Sequence, residues 1–158
     1  MSVPELGEFA MTLVAIAPIE STIHTTNIWL KELAEELGWE DRARVYHALG
    51  VVLHALRDRL TVAEAADLGA QLPLLIRGLY YEGWTPNGKP IKERRKEEFL
   101  AHIAGALRGH AEIFPEAVAW AVFKVVQKHV SPGEISDVKH VLPNQIRSLW
   151  PERQRQLV

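Results

Sequence analysis

Gln71-Leu72-Pro73-Leu74-Leu75-Ile76-Arg77-Gly78-Leu79-Tyr80 returns seventy positions later as Val141-Leu142-Pro143-Asn144-Gln145-Ile146-Arg147-Ser148-Leu149-Trp150. Leucine, proline, isoleucine, arginine and leucine recur in register, and both stretches end on an aromatic ring. Extending the comparison without a gap, 29–81 over 99–151, adds identity at Leu30/Leu100, Ala34/Ala104, Leu37/Leu107, Val52/Val122, Glu64/Glu134 and Asp67/Asp137. Eleven of 53 pairs match, against roughly three or four expected from average residue usage. Trp29/Phe99, Leu33/Ile103, Leu53/Phe123, Leu60/Val130 and Thr61/Ser131 are conservative pairs. The pattern predicts two tandem copies of one unit.

Periodicity assigns four helices to each copy. Trp29, Leu30, Leu33, Ala34 and Leu37 recur on one helical face and Gly38 supplies a stop; Phe99, Leu100, Ile103, Ala104 and Leu107 repeat that face. The second helix carries Val45, Ala48, Leu49, Val52, Leu53, Leu56 and Leu60, widened by Val51 and Ala55 until little polar surface remains, which predicts a central position. Its counterpart runs from about Pro115 to Val130, with proline suited to the first turn. Thr61-Val-Ala-Glu64 and Ser131-Pro-Gly-Glu134 are capping boxes that open the third helix: the hydroxyl takes one free backbone N–H and the glutamate takes another. Pro73 and Pro143 open the fourth.

The expected architecture is therefore all-α: two pseudo-symmetric four-helix repeats, 22–81 and 93–151, packed into one compact bundle. An extension over 1–21, an aromatic Gly/Pro linker over 82–92 and a tail over 152–158 complete the chain. The apolar run Phe9–Ala17 lacks the basic flank of a secretory peptide and carries Glu5 and Glu8 instead. It is too short to span a bilayer.

Composition narrows the function classes. At 158 residues the chain can bury a core without staples. With zero cysteines there is no disulfide, no thiolate nucleophile and no thiolate zinc site, which suits a reducing, cytoplasmic setting. A formal charge of −2 disfavours attraction to nucleic acid or anionic membrane by bulk charge. Lys92-Glu93-Arg94-Arg95-Lys96-Glu97-Glu98 alternates sign and reads as a solvated first turn. No phosphate loop, nucleophile elbow or triad signature is present.

Several motifs carry a resemblance. Thr26-Asn27, Trp29-Leu30, Glu35-x-x-Gly38-Trp39 and Leu53-His54-Ala55-Leu56-Arg57-Asp58-Arg59-Leu60 are followed in order by Gln71-Leu72-Pro73, Arg77-Gly78-x-Tyr80-Tyr81-Glu82-Gly83-Trp84 and Val130-Ser131-x-Gly133-Glu134. Over residues 22 to 151 the chain resembles a bacterial domain-of-unknown-function family, number 2267. The resemblance implies a duplicated all-helical architecture and carries no catalytic residue or cofactor with it.

Candidate functional residues are few. Arg77 and Arg147 hold one place in both copies, as do Glu64/Glu134 and Asp67/Asp137. An arginine among leucines calls for a carboxylate, which predicts structural ion pairs tying the third helix to the fourth; the other reading is a pair of anion sites. Tyr80, Tyr81, Glu82 and Trp84, with Trp150 as the counterpart of Tyr80, have the composition of interface anchors, or else the loop folds back over the seam between the copies. Trp120, where the first copy has Gly50, is either a contact residue or a filler of space. His47 and His54 share a face with Asp58, but ligands converging from several helices are missing, so no metal or other cofactor is expected. The chain is expected to be a non-catalytic module for protein–protein interaction or self-association. The alternative is a carrier of a small or lipid-like ligand in a pocket between the repeats.

Overall fold

The computed structural model describes residues 16–109 and 112–152. Eight helices and no strand occur among the described residues: α1 Ala17–Leu37, α2 Arg42–Arg57, α3 Val62–Ala70, α4 Leu74–Tyr81, α5 Lys96–Ala106, α6 Pro115–His129, α7 Pro132–Val141 and α8 Asn144–Arg147. The extension up to residue 15 and the tail after Glu152 lie outside the described residues.

The sequence signals act where they stand. Gly38 ends α1 in the left-handed region, at φ 68°, and its N–H reaches the Ala34 carbonyl. Asp41 caps α2 by accepting from the amide of Ala43 at 3.0 Å. Pro115 sits in the first turn of α6. One boundary is corrected: the expected break at 21/22 falls inside α1, which begins at Ala17 with Pro18 in its first turn, where a missing N–H costs nothing. α1 is thus 21 residues long, whereas α5, its counterpart, has 11.

α2 is the hub. It touches α1, α4, α5 and α6, and Val45, Ala48, Leu49, Val52, Leu53, Ala55 and Leu56 are fully buried. Each large aliphatic side chain so buried stabilises the fold by about 1.5–3 kcal/mol. Burial recurs seventy positions on: Trp29 and Phe99, Leu33 and Ile103, Leu53 and Phe123, Ile76 and Ile146, Tyr80 and Trp150 are all buried. The two quartets meet along α1 with α6, α2 with α5 and α6, and α3 with α7. Trp29 stacks on His129 across that seam, ring centres 4.9 Å apart.

Candidate functional site

The two arginines do not make the ion pairs expected of them. Arg77 donates from Nε to the Gly69 carbonyl at 2.9 Å and from a terminal nitrogen to the carbonyls of Ala70 at 3.1 Å and Leu72 at 3.0 Å. Arg147 reaches Lys139, His140 and Leu142 at 2.7, 3.5 and 3.0 Å, the same three positions seventy residues on. The physical reason is proximity: the last carbonyls of α3 and α7 have no helical donor, and a guanidinium one short turn away satisfies them and the helix dipole together. Glu64, Asp67, Glu134 and Asp137 are thereby left to one another.

Those four carboxyl groups gather where α3 crosses α7. Thr61 Oγ1 and Ser131 Oγ accept from the amides of Glu64 and Glu134 at 3.2 and 3.3 Å, which is half of each expected capping box. The return bond at Ser131 comes instead from Gln71, whose Oε1 accepts the Ser131 N–H at 3.0 Å. Glu134 turns inward, buried to 8 % exposure, with its carboxyl close to that of Glu64. As two carboxylates, Oε1 of each would be buried without a donor; a proton held between them supplies one. Burial, then Glu64, Asp67 and Asp137 together push Glu134 up to about 8. Among the described residues, no group of three or more histidine or acidic side chains is arranged to hold a metal ion.

The aromatic candidates are mostly interior. Tyr80 is fully buried, its hydroxyl donating to the Ala65 carbonyl at 2.7 Å, and burial raises its phenol well above the usual range. Tyr81 packs edge-on against Tyr80 and lies over Gly69, whose missing Cβ makes room for the phenol, and Trp84 follows with ring centres 5.5 Å apart. Trp150 is buried and stacks on Phe123 at 4.3 Å. Glu82 gives its carbonyl, together with that of Tyr80, to the buried Arg57 at 2.9 and 2.7 Å. Tyr80 and Trp150 are therefore core residues, not exposed contact residues. His54, one of the histidines considered for metal, donates from Nε2 to the Leu79 carbonyl at 2.6 Å.

Trp120 alone of the predicted aromatic set faces outward, at 40 % exposure. It lines a cleft of about 790 Å³ on the seam between α1 and α6. α1 contributes Glu32, Glu35 and Glu36 at helical spacing; α6 contributes Trp120, Lys124, Gln127 and Lys128; Glu152 stands at one end. Lys124 pairs with Glu36 at 2.6 Å, and Glu32 takes both Lys128 and His129 at 2.7 Å. Burial alone would raise the Glu32 carboxyl, but these two bonds outweigh it and hold the group below its usual range. Sequence reasoning missed every residue of this cleft except Trp120. Nothing in the sequence of α1 alone says that its charged side faces α6.

The place equivalent to Trp120 is a hollow. Gly50 leaves a space of about 400 Å³ bounded by Tyr46, His47, Val51, His54, Leu79 and Glu82.

All this defines an all-helical protein with a charged cleft between α1 and α6. No helix among the described residues is long and apolar enough to cross a membrane. Residues 26–149 match the family described as "Uncharacterized conserved protein (DUF2267)", and the chain belongs to that family. No curated protein matches the chain. The matched span begins at Thr26, so the first nine residues of α1 precede it.

Proposed function

We propose that the chain is a non-catalytic protein-interaction module whose contact surface is the cleft between α1 and α6. The observation that carries the reading is Trp120, a large ring left 40 % exposed in a cleft of about 790 Å³. Tryptophan at such a place is the commonest kind of energetic anchor in protein interfaces. The matched burial and arginine bonding at a seventy-residue offset support treating the quartets as copies of one unit, with the second copy specialised for contact. A chain without cysteine fits a module working in a reducing compartment such as the cytoplasm.

A photo-reactive phenylalanine analogue at position 120, with one at the still more exposed Leu74 as control, tests the reading in cells. The expected result is a cross-linked species, a partner protein or a second copy of this chain, that forms at 120 and not at 74, and whose purified form loses binding to the Trp120→Ala variant. Identical cross-linking at both positions overturns it.

A second reading has its own observation. The carrier alternative finds no apolar pocket in the charged seam, but the hollow at Gly50 has apolar walls in Val51 and Leu79 with His47, His54 and Glu82 as polar groups. Native mass spectrometry of freshly purified protein decides it. A bare polypeptide mass removes the carrier.

A further inference from the structure

Resting on the interaction reading, we propose that the cleft receives a cationic segment of a partner protein, with an arginine or lysine laid on Trp120 and further cations set against Glu35 and Glu152. The walls themselves specify the chemistry. Four carboxylates, Glu32, Glu35, Glu36 and Glu152, line the cleft against two ammonium groups, Lys124 and Lys128. Lys124 is committed to Glu36, and Lys128 with His129 to Glu32. Among the described residues Glu35 and Glu152 have no ion-pair partner, so two negative charges remain over.

Gln127 adds a directional requirement. Gln127 lines the cleft, and its Oε1 is buried behind that lining without a hydrogen-bond donor. An acceptor in that state is stabilised once a side-chain shift brings an N–H to it. A guanidinium supplies several donors and a flat face for the indole; a carboxylate supplies neither, and any anion meets the two unpaired carboxylates. Lys124 Nζ already lies 5.1 Å from the centre of the Trp120 ring, which shows a cation at cation–π distance from that ring. The occupant is thus a basic protein segment. An acidic segment, a nucleic acid and an anionic lipid all carry the wrong sign.

The chain's own Arg153 and Arg155 follow Glu152 directly in sequence and offer the same chemistry from within. The assay therefore uses the full chain in two forms, unaltered and with Arg153→Ser and Arg155→Ser. The probes are fluorescent heptapeptides, Gly-Arg-Gly-Arg-Gly-Arg-Gly and its glutamate counterpart, followed by anisotropy. The arginine peptide is expected to bind and the glutamate peptide not to. Glu35→Gln with Glu152→Gln weakens binding roughly tenfold, Trp120→Ala weakens it roughly two- to fivefold, and Glu97→Gln with Glu98→Gln, on the exposed first turn of α5, leaves it unchanged. Thermal melts of all the variants check that the fold is intact. Stronger binding by the serine form than by the unaltered chain identifies the chain's own arginines as competitors for the same cleft, which supports the proposal.

Equal binding of both peptides, no binding of the arginine peptide to the serine form, or equal loss in the Glu97/Glu98 control overturns it. The interaction reading fails separately, through the cross-linking at position 120. A partner captured there while the arginine peptide is ignored leaves that reading standing and removes only the cationic occupant.

Discussion

The first quartet, α1–α4, and the second, α5–α8, agree in their interiors and differ on their surfaces. Trp29, Leu33, Leu53, Ile76 and Tyr80 are buried, and so are the residues seventy positions beyond each. Arg77 and Arg147 each donate to three carbonyls at matching places. Outside, the correspondence stops: Gly50, His47 and His54 border a hollow, whereas Trp120, Ala117 and Lys124 occupy the equivalent positions and two of them line the cleft. Packing and capping tolerate little change. Exposed positions are free to diverge, so the two halves differ most on their surfaces.

The comparison is open to attack at its strongest point first. Tyr80→Ala and Trp150→Ala each remove a buried ring and should cost roughly 3–5 kcal/mol in urea unfolding. A cost below about 1 kcal/mol at either position would break the equivalence of the interiors.

Next come the arginines. Arg77→Met and Arg147→Met keep much of the side-chain volume but leave three carbonyls without their charged donor, for a loss of about 1.5–3 kcal/mol apiece. Because α8 has only four residues and Arg147 is its last, the second substitution should be at least as costly as the first.

The carboxyl pair gives a test by acidity. Glu134 holds its proton up to about 8 in the fold and loses it near 4.5 when unfolded. Between those values the native state binds more protons than the unfolded one, so stability is full below about 4.5, falls as pH rises and levels off above about 8. The slope is limited to about 1.4 kcal/mol per pH unit. Glu134→Gln should flatten this decline and raise the melting temperature at pH 8, by about 1–2 kcal/mol of stability. An unchanged pH profile would show that the pair does not share a proton. The smallest effect is expected at Trp120→Ala, within about 0.5 kcal/mol, because the ring covers no core.

Much of the fold was legible because its signals are local. Gly38, Pro115, Thr61 and Ser131 act within one turn of themselves, and the seventy-residue register needs no structure to be seen. The start of α1 was not, since the repeat register begins only at residue 29 and says nothing about the turns before it, whereas the helix starts at Ala17. The arginine bonds were misassigned for a different reason: backbone carbonyls leave no trace in a side-chain pattern, so the carboxylates seemed the available partners. Of the candidate site only Trp120 was readable, by its contrast with Gly50. Glu35, Gln127 and Glu152 become a site only when α1 and α6 are set side by side, and periodicity says nothing about neighbours distant in sequence.

Glu64 and Glu134 hold equivalent positions, and their side chains meet. When a chain folds against its own likeness, a residue at such a meeting point faces its twin, and whatever it is must be compatible with itself. Leucine manages this trivially; an acid manages it only by keeping a hydrogen between the two. Making the twins unlike, with Glu64→Lys alone, would turn a self-match into a lock and key, and the halves would then distinguish each other from themselves.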